Sequence, residues 1–179
     1  MKRNTKKIFY IFLRYFVLIL IALPGFDIFY FLFSPITIYP LYFLLDKIYG
    51  VIVQGNTLLV GNIPIEIIGA CIAGSAYYLL LILNLSIPNV KINKRILMIA
   101  FSFGIFYLIN LLRIFILSIM YINSSPVFDF SHKLFWYLGS TIFVIGIWFL
   151  EIKVFKIKEI PFYSDLKYLY NSQKNPKNY

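Results

Sequence analysis

The chain has 179 residues, of which 61% are hydrophobic, 20% aromatic and only 13% charged, with a mean hydropathy of +0.82. A soluble domain carries charge on about a quarter of its residues, so this balance points to an integral membrane protein. The net charge of +10 does not indicate nucleic-acid binding, because the basic residues flank apolar runs and form no soluble patch.

The first apolar run covers roughly 8 to 33 and is interrupted by Pro24-Gly25 and Asp27. A spanning helix is expected to end near 25 to 28, or to continue kinked. Its basic start resembles a signal peptide. The run exceeds signal-peptide length, however, and no small-x-small cleavage site follows, so it reads as a retained first helix. The stretch 35 to 53 is long enough to cross, but Pro35, Pro40 and Gly50 break it and Asp46-Lys47 sit inside it. Its first part reads as an interfacial amphipathic helix on the outer surface. "VIVQGNTLLVGN" follows, with two short β-prone runs around Gly55-Asn56 that predict a hairpin. Three further spans are predicted at about 65–86, 96–120 and 132–151, each near the ~20 residues a bilayer requires. The expected architecture is an all-α integral membrane protein with about four transmembrane helices, an outer interfacial helix and a short β-hairpin. A membrane-embedded domain over 1–159 would precede a polar, basic, fraying cytoplasmic tail over 160–179.

Basic residues orient the spans. Lys2, Arg3, Lys6, Lys7 and Arg14 lie near the N-terminus, and Lys91, Lys94 and Arg95 lie between spans two and three. Lys153, Lys156, Lys158, Lys167, Lys174 and Lys177 follow span four. The positive-inside rule puts both termini and "KINKR" in the cytoplasm of a multi-pass cell-membrane protein. Segments 34–65 and 121–131 then face outward.

One cysteine excludes an internal disulfide and a cysteine-rich metal site. A zinc site built on the single histidine would need a cluster of carboxylates that the sequence does not offer. No nucleotide-binding glycine loop is present, and no cofactor or metal is expected. Depth along the predicted spans is more informative. Cys71 lies about 7–8 Å below the outer end of span two, and Arg113 about 10 Å below that of span three. His132 opens span four. Three chemically competent side chains from three helices therefore share one shallow outer layer. Singly, a cysteine is commonly a packing residue and a helix-start histidine an interfacial one. An arginine inside a span is costly and reads as functional. Together they suit acyl transfer, with Cys71 as nucleophile, His132 moving the proton and Arg113 holding the oxyanion.

Several neighbours are candidate supports. Asn110, one turn before Arg113, is placed to orient the guanidinium. Glu66 is placed to anchor Arg113 or His132, and Asp129 to orient the His132 ring. Ser75 and Tyr78 are expected on the Cys71 face at i+4 and i+7, and Ala70 and Gly74 allow close helix approach. Helix packing and solvent exposure explain each of these as readily.

"ACIAGS" in one span, "NLLRI" in the next and a single histidine opening the last resemble the exosortase/archaeosortase family of membrane cysteine transpeptidases, over roughly residues 50 to 150. The resemblance implies that Cys71 is the nucleophile and that Arg113 and His132 are its catalytic partners, in a compact archaeosortase-like protein. The implied substrate is a secreted surface protein ending in a recognition motif, a hydrophobic helix and a basic tail. It would be cut through a Cys71 thioester, with a lipid amine or water as acceptor. Many members carry Ser or Thr and then Gly directly after the cysteine; here Ile72 and Ala73 follow, and Gly74 comes one position later. Two other classes fit the composition. One is a non-catalytic membrane scaffold of a surface-protein or polysaccharide export system, in which Arg113 pairs helices. The other is a small transporter, disfavoured because the polar residues cluster at one face.

Overall fold

The computed structural model describes residues 2–23, 27–157, 161 and 163–174. The expected break at Pro24-Gly25, Lys158, Lys177 and the end of the tail lie outside the described residues, as do the side chains of residues 2 to 7. The chain runs α1 (Lys2–Ala22), α2 (Asp27–Asp46), β1 (Val51–Gln54), β2 (Thr57–Val60), β3 (Ile63–Glu66), α3 (Gly69–Ile72) and α4 (Gly74–Leu85). It continues with α5 (Ile92–Ile122), α6 (Phe128–Leu134), a π-helical turn (Phe135–Gly139), α7 (Ser140–Phe155) and α8 (Tyr163–Lys174).

Three helical stretches are long and apolar enough to cross a bilayer: Asp27–Asp46, Ile92–Ile122 and the continuous Phe128–Phe155. Ile8–Ala22 and Gly69–Leu85 are apolar but shorter. This is compatible with a membrane protein. Large apolar side chains such as Phe31, Leu108, Tyr137 and Phe149 stand exposed on the bundle exterior, as expected where lipid is the solvent.

The segment 35–46, expected as a separate interfacial helix, is continuous with residues 27–34 in one helix. It is the second half of α2, and Leu41 and Leu45 are fully buried. Pro35 and Pro40, expected to break it, both sit inside the helix. Pro40 has no N–H to give the carbonyl of Ile36, four residues earlier. The Tyr107 hydroxyl of α5 donates to that carbonyl instead, at 2.6 Å.

The predicted hairpin is one half of a three-stranded antiparallel sheet in the order β1-β2-β3. Val51 pairs with Val60 across the first turn, and Val60 with Ile63 across the second. Each two-residue loop begins with a glycine at φ +60°, Gly55 and Gly61, the positive φ that a type II′ hairpin requires. Leu58 is fully buried beneath the sheet.

Side-chain pairings fix the helix directions. Asn84 meets Ser102 and Glu151, whereas Asn110 meets Cys71 and Arg113 meets Ser140. Helices α4 and α7 therefore both run opposite to α5. Phe33 stacks on Tyr77 at 4.0 Å and packs against Phe103, Ile36 meets Tyr107, and Tyr49 meets Asn123. Helix α2 thus runs parallel to α5. Arg14 reaches the carbonyls of Leu85 and Ile87, and Leu18 meets Tyr78, so α1 also rises with α5.

One end of the bundle is closed by cations. The last turn of α4 leaves carbonyls without helical partners. Arg95 donates to those of Asn84, Leu85 and Ile87, and Arg14 to those of Leu85 and Ile87. Arg14 also forms a two-bond ion pair with the buried Asp165 of α8. The tail expected to fray therefore carries a helix over Tyr163–Lys174 that docks on α1. The sheet, the α5–α6 turn and the candidate site lie at the opposite end.

Candidate active site

Helix α5 buries Arg95, Met98, Ser102, Phe106, Asn110, Ile114 and Leu117, a stripe at spacings of three and four residues that faces the bundle interior. Arg113 flanks this stripe one residue before Ile114, half-buried near the sheet end. Facing it, the helix that begins at Gly69 stops after one turn. Ala73 adopts a left-handed conformation, φ 57° and ψ 47°, and its carbonyl then starts α4 by accepting from Ala76 and Tyr77. The Asn110 side-chain amide donates to the Cys71 carbonyl at 2.9 Å, tying the cysteine turn to α5.

A cleft of about 250 Å3 opens at this point. Its walls include Cys71 from α3, Arg113 from α5, His132 from α6, and the run from Pro64 in β3 to Ile67 just beyond it. Cys71 is half-buried and free. The Arg113 guanidinium and the Glu66 carboxylate both lie within electrostatic reach of it. Arg113 donates from Nη1 to the Ser140 hydroxyl at 3.2 Å, while its buried Nε has no partner. The His132 ring stacks on Phe128 with centroids 5.5 Å apart and meets Trp136 edge-on at 5.9 Å. Among the described residues, no hydrogen bond joins the thiol, guanidinium and imidazole directly; the three face a common space.

The supporting residues divide. Glu66 is exposed on the cleft wall and pairs with neither Arg113 nor His132. Asn110 holds the Cys71 backbone and makes no bond to the guanidinium. Ser75 is exposed and absent from the cleft lining, and the Tyr78 hydroxyl points to the Leu18 carbonyl. The break at Ala73 takes both off the Cys71 face, because i+4 and i+7 share a face only in an unbroken helix. Asp129 is exposed, with no hydrogen bond to His132.

Sequence reasoning passed over Phe128, Trp136 and Ser140. Phe128 and Trp136 stand four residues either side of His132, the helical spacing that would have marked them. Ser140 reaches Arg113 from the residue after the π turn, and a helical count from His132 gives no sign of it. Although Glu66, Cys71 and His132 share the cleft, they do not converge as metal ligands; no cluster of three or more His, Cys, Asp or Glu occurs among the described residues. No protein-family model matches this chain, and no curated protein or solved structure matches it.

Proposed function

We propose that this protein is a membrane-embedded cysteine peptidase or transpeptidase that cleaves C-terminal sorting signals of secreted surface proteins. The observation that carries this reading is the cleft shared by Cys71, Arg113 and His132, which come from three separate helices. A thiol is nucleophilic as the thiolate, and a neighbouring guanidinium stabilises that form. Cys71 attacks the scissile carbonyl after giving its proton to His132. Arg113, with Nε unclaimed, stabilises the oxyanion of the tetrahedral intermediate. His132 returns the proton to the leaving amine, which departs with the C-terminal helix of the substrate. A lipid amine or water then resolves the thioester.

The chain crosses the membrane four times in this account. Helices α1 and α2, running in one direction, form a single broken crossing; α3 with α4, α5, and α6 with α7 form the others. The basic end that joins Arg14, Arg95 and Asp165 faces the cytoplasm by the positive-inside rule, and the cleft lies near the outer face. The order of "ACIAGS", "NLLRI" and His132 supports a resemblance to the exosortase/archaeosortase family.

The test is co-expression with a candidate substrate bearing a C-terminal motif, apolar helix and basic tail. The wild type should remove the C-terminal helix, and Cys71→Ala and Cys71→Ser should not. Equal processing by all three would remove the enzyme and leave a scaffold.

A further inference from the structure

The cleft meets β3 edge-on. Successive strand residues point to opposite faces of a sheet, yet Pro64, Ile65 and Glu66 of β3 all line the cleft. Only the strand's edge presents consecutive residues to one space. That edge is open, because β3 is the last strand of the sheet and pairs on one side with β2.

The hydrogen-bond parity of this edge follows from the ladder. The Ile67 N–H donates to the Asn56 carbonyl, so Ile67 turns its N–H towards β2. In antiparallel strands residues so turned alternate with residues whose backbone groups point away. Ile65 and Ile63, opposite Leu58 and Val60, therefore spend their groups on β2. Pro64 and Glu66, opposite Leu59 and Thr57, turn theirs outward. Proline has no N–H to lose at such a position, which is why Pro64 does not weaken the sheet. Both residues are exposed. Among the described residues, nothing hydrogen-bonds the Pro64 carbonyl, the Glu66 N–H or the Glu66 carbonyl.

We propose that the free edge of β3 is the substrate subsite, and that it binds the acyl side of an extended peptide by adding it to the sheet as a fourth strand, parallel to β3. This rests on the acyl-transfer reading of Cys71. In a thioester the acyl chain ends on the Cys71 sulfur and extends back from it. Chain laid along β3 towards Ile63 therefore runs in the same direction as β3. One peptide residue gives its N–H to the Pro64 carbonyl and its carbonyl to the Glu66 N–H. The residue two further on gives its N–H to the Glu66 carbonyl. Recognition of this kind draws affinity from the main chain and takes specificity from the pockets beside it. Here those pockets are apolar, formed by Ile65, Ile67 and Trp136.

The probe is an equimolar library of N-acetyl tripeptidyl chloromethyl ketones, applied to the purified full chain in detergent. The Cys71 thiolate displaces chloride to form a thioether, read by intact mass. A second library carries N-methyl groups on its backbone nitrogens, and iodoacetamide reports the bare thiol. The first library should label Cys71 on the order of tenfold faster than the methylated one, because methylation removes the two N–H groups that donate to the Pro64 and Glu66 carbonyls. Glu66→Pro, with folding checked by its melting temperature, removes the N–H offered to the peptide carbonyl and should slow labelling by the unmethylated library several-fold while leaving iodoacetamide labelling unchanged; undiminished labelling would overturn the edge subsite. Equal labelling of wild type by the two libraries, with iodoacetamide still reacting, would overturn the edge subsite and leave the thiol reading standing. A Cys71 inert to iodoacetamide would overturn both. The two-library comparison needs no variant, so it decides the matter even where Glu66→Pro fails to fold.

Discussion

Ala73 holds φ 57° two residues after the cysteine, in a region that costs a residue bearing a Cβ about 1 kcal/mol or more. The bend this produces turns α4 off the axis of α3, with the Cys71 carbonyl accepting from Asn110. Ala73→Gly should therefore stabilise the protein, by about 0.5–1 kcal/mol, read as a raised unfolding midpoint in detergent. A drop would mean that the Ala73 methyl, which is buried, contributes more in packing than its backbone costs. At Arg113 the planar fork donates to Ser140 from one nitrogen and leaves its buried Nε without a partner. An ammonium lacks that geometry. Arg113→Lys should lose most substrate processing, by about 100-fold or more, as when an oxyanion donor is removed; full activity would exclude an oriented oxyanion contact. That Cys71, Arg113 and His132 would face one space was legible from depth counting. Asn110 was legible as a residue of the site, but its partner was not, because the bend that frees the Cys71 carbonyl leaves no mark in "ACIAGS".

At the scale of elements, a buried polar cluster joins three helices away from the cleft. Asn84 donates to Ser102 and to Glu151 Oε2, both at 3.2 Å. Asn84 Oδ1 and Glu151 Oε1 are buried with no partner. Two orphaned acceptors in one cluster lack a donor, and Glu151→Gln supplies one without changing shape. This variant should keep or raise the unfolding midpoint. Glu151→Ala strips Asn84 of an acceptor and should cost about 1–3 kcal/mol. Equal damage from both would show that the cluster needs the carboxylate itself. The elements least legible in the sequence were those that contain proline. Pro35 and Pro40 lie within α2, where Tyr107 replaces the bond that Pro40 removes at Ile36. Pro64 lies within β3 on the open edge. In both, a tertiary partner or a vacant side removes the local penalty, and a one-dimensional reading sees neither. Apolar length identified α5 and the α6–α7 stretch well because little competes with it in a helix without proline.

For the whole molecule, the decisive feature is a polarity between two ends. Arg14, Arg95 and Asp165 gather at one, and the sheet and cleft occupy the other. The positive-inside rule assigns the first to the cytoplasm. A cysteine placed at Asn56, in a chain with Cys71 replaced by alanine, should react with a membrane-impermeant maleimide in intact cells. One placed at Asn93 should react only after lysis. The reverse pattern would invert the molecule in the membrane and move the cleft away from secreted substrates. That α4 and α7 run opposite to α1 and α5 was legible from where lysine and arginine fall. The docking of α8 was not, since Asp165 is a single acid in a polar tail and its partner lies 151 residues away.

Acyl transfer through sulfur leaves a chemical trace. The most direct measurement is intact-mass analysis of the purified protein after incubation with a membrane-anchored candidate substrate, with and without hydroxylamine. The account predicts an adduct on Cys71 with the mass of the substrate's N-terminal fragment, released by hydroxylamine and absent from Cys71→Ala. Removal of the substrate's C-terminal helix with no adduct at Cys71, and at an undiminished rate in Cys71→Ala, would contradict it.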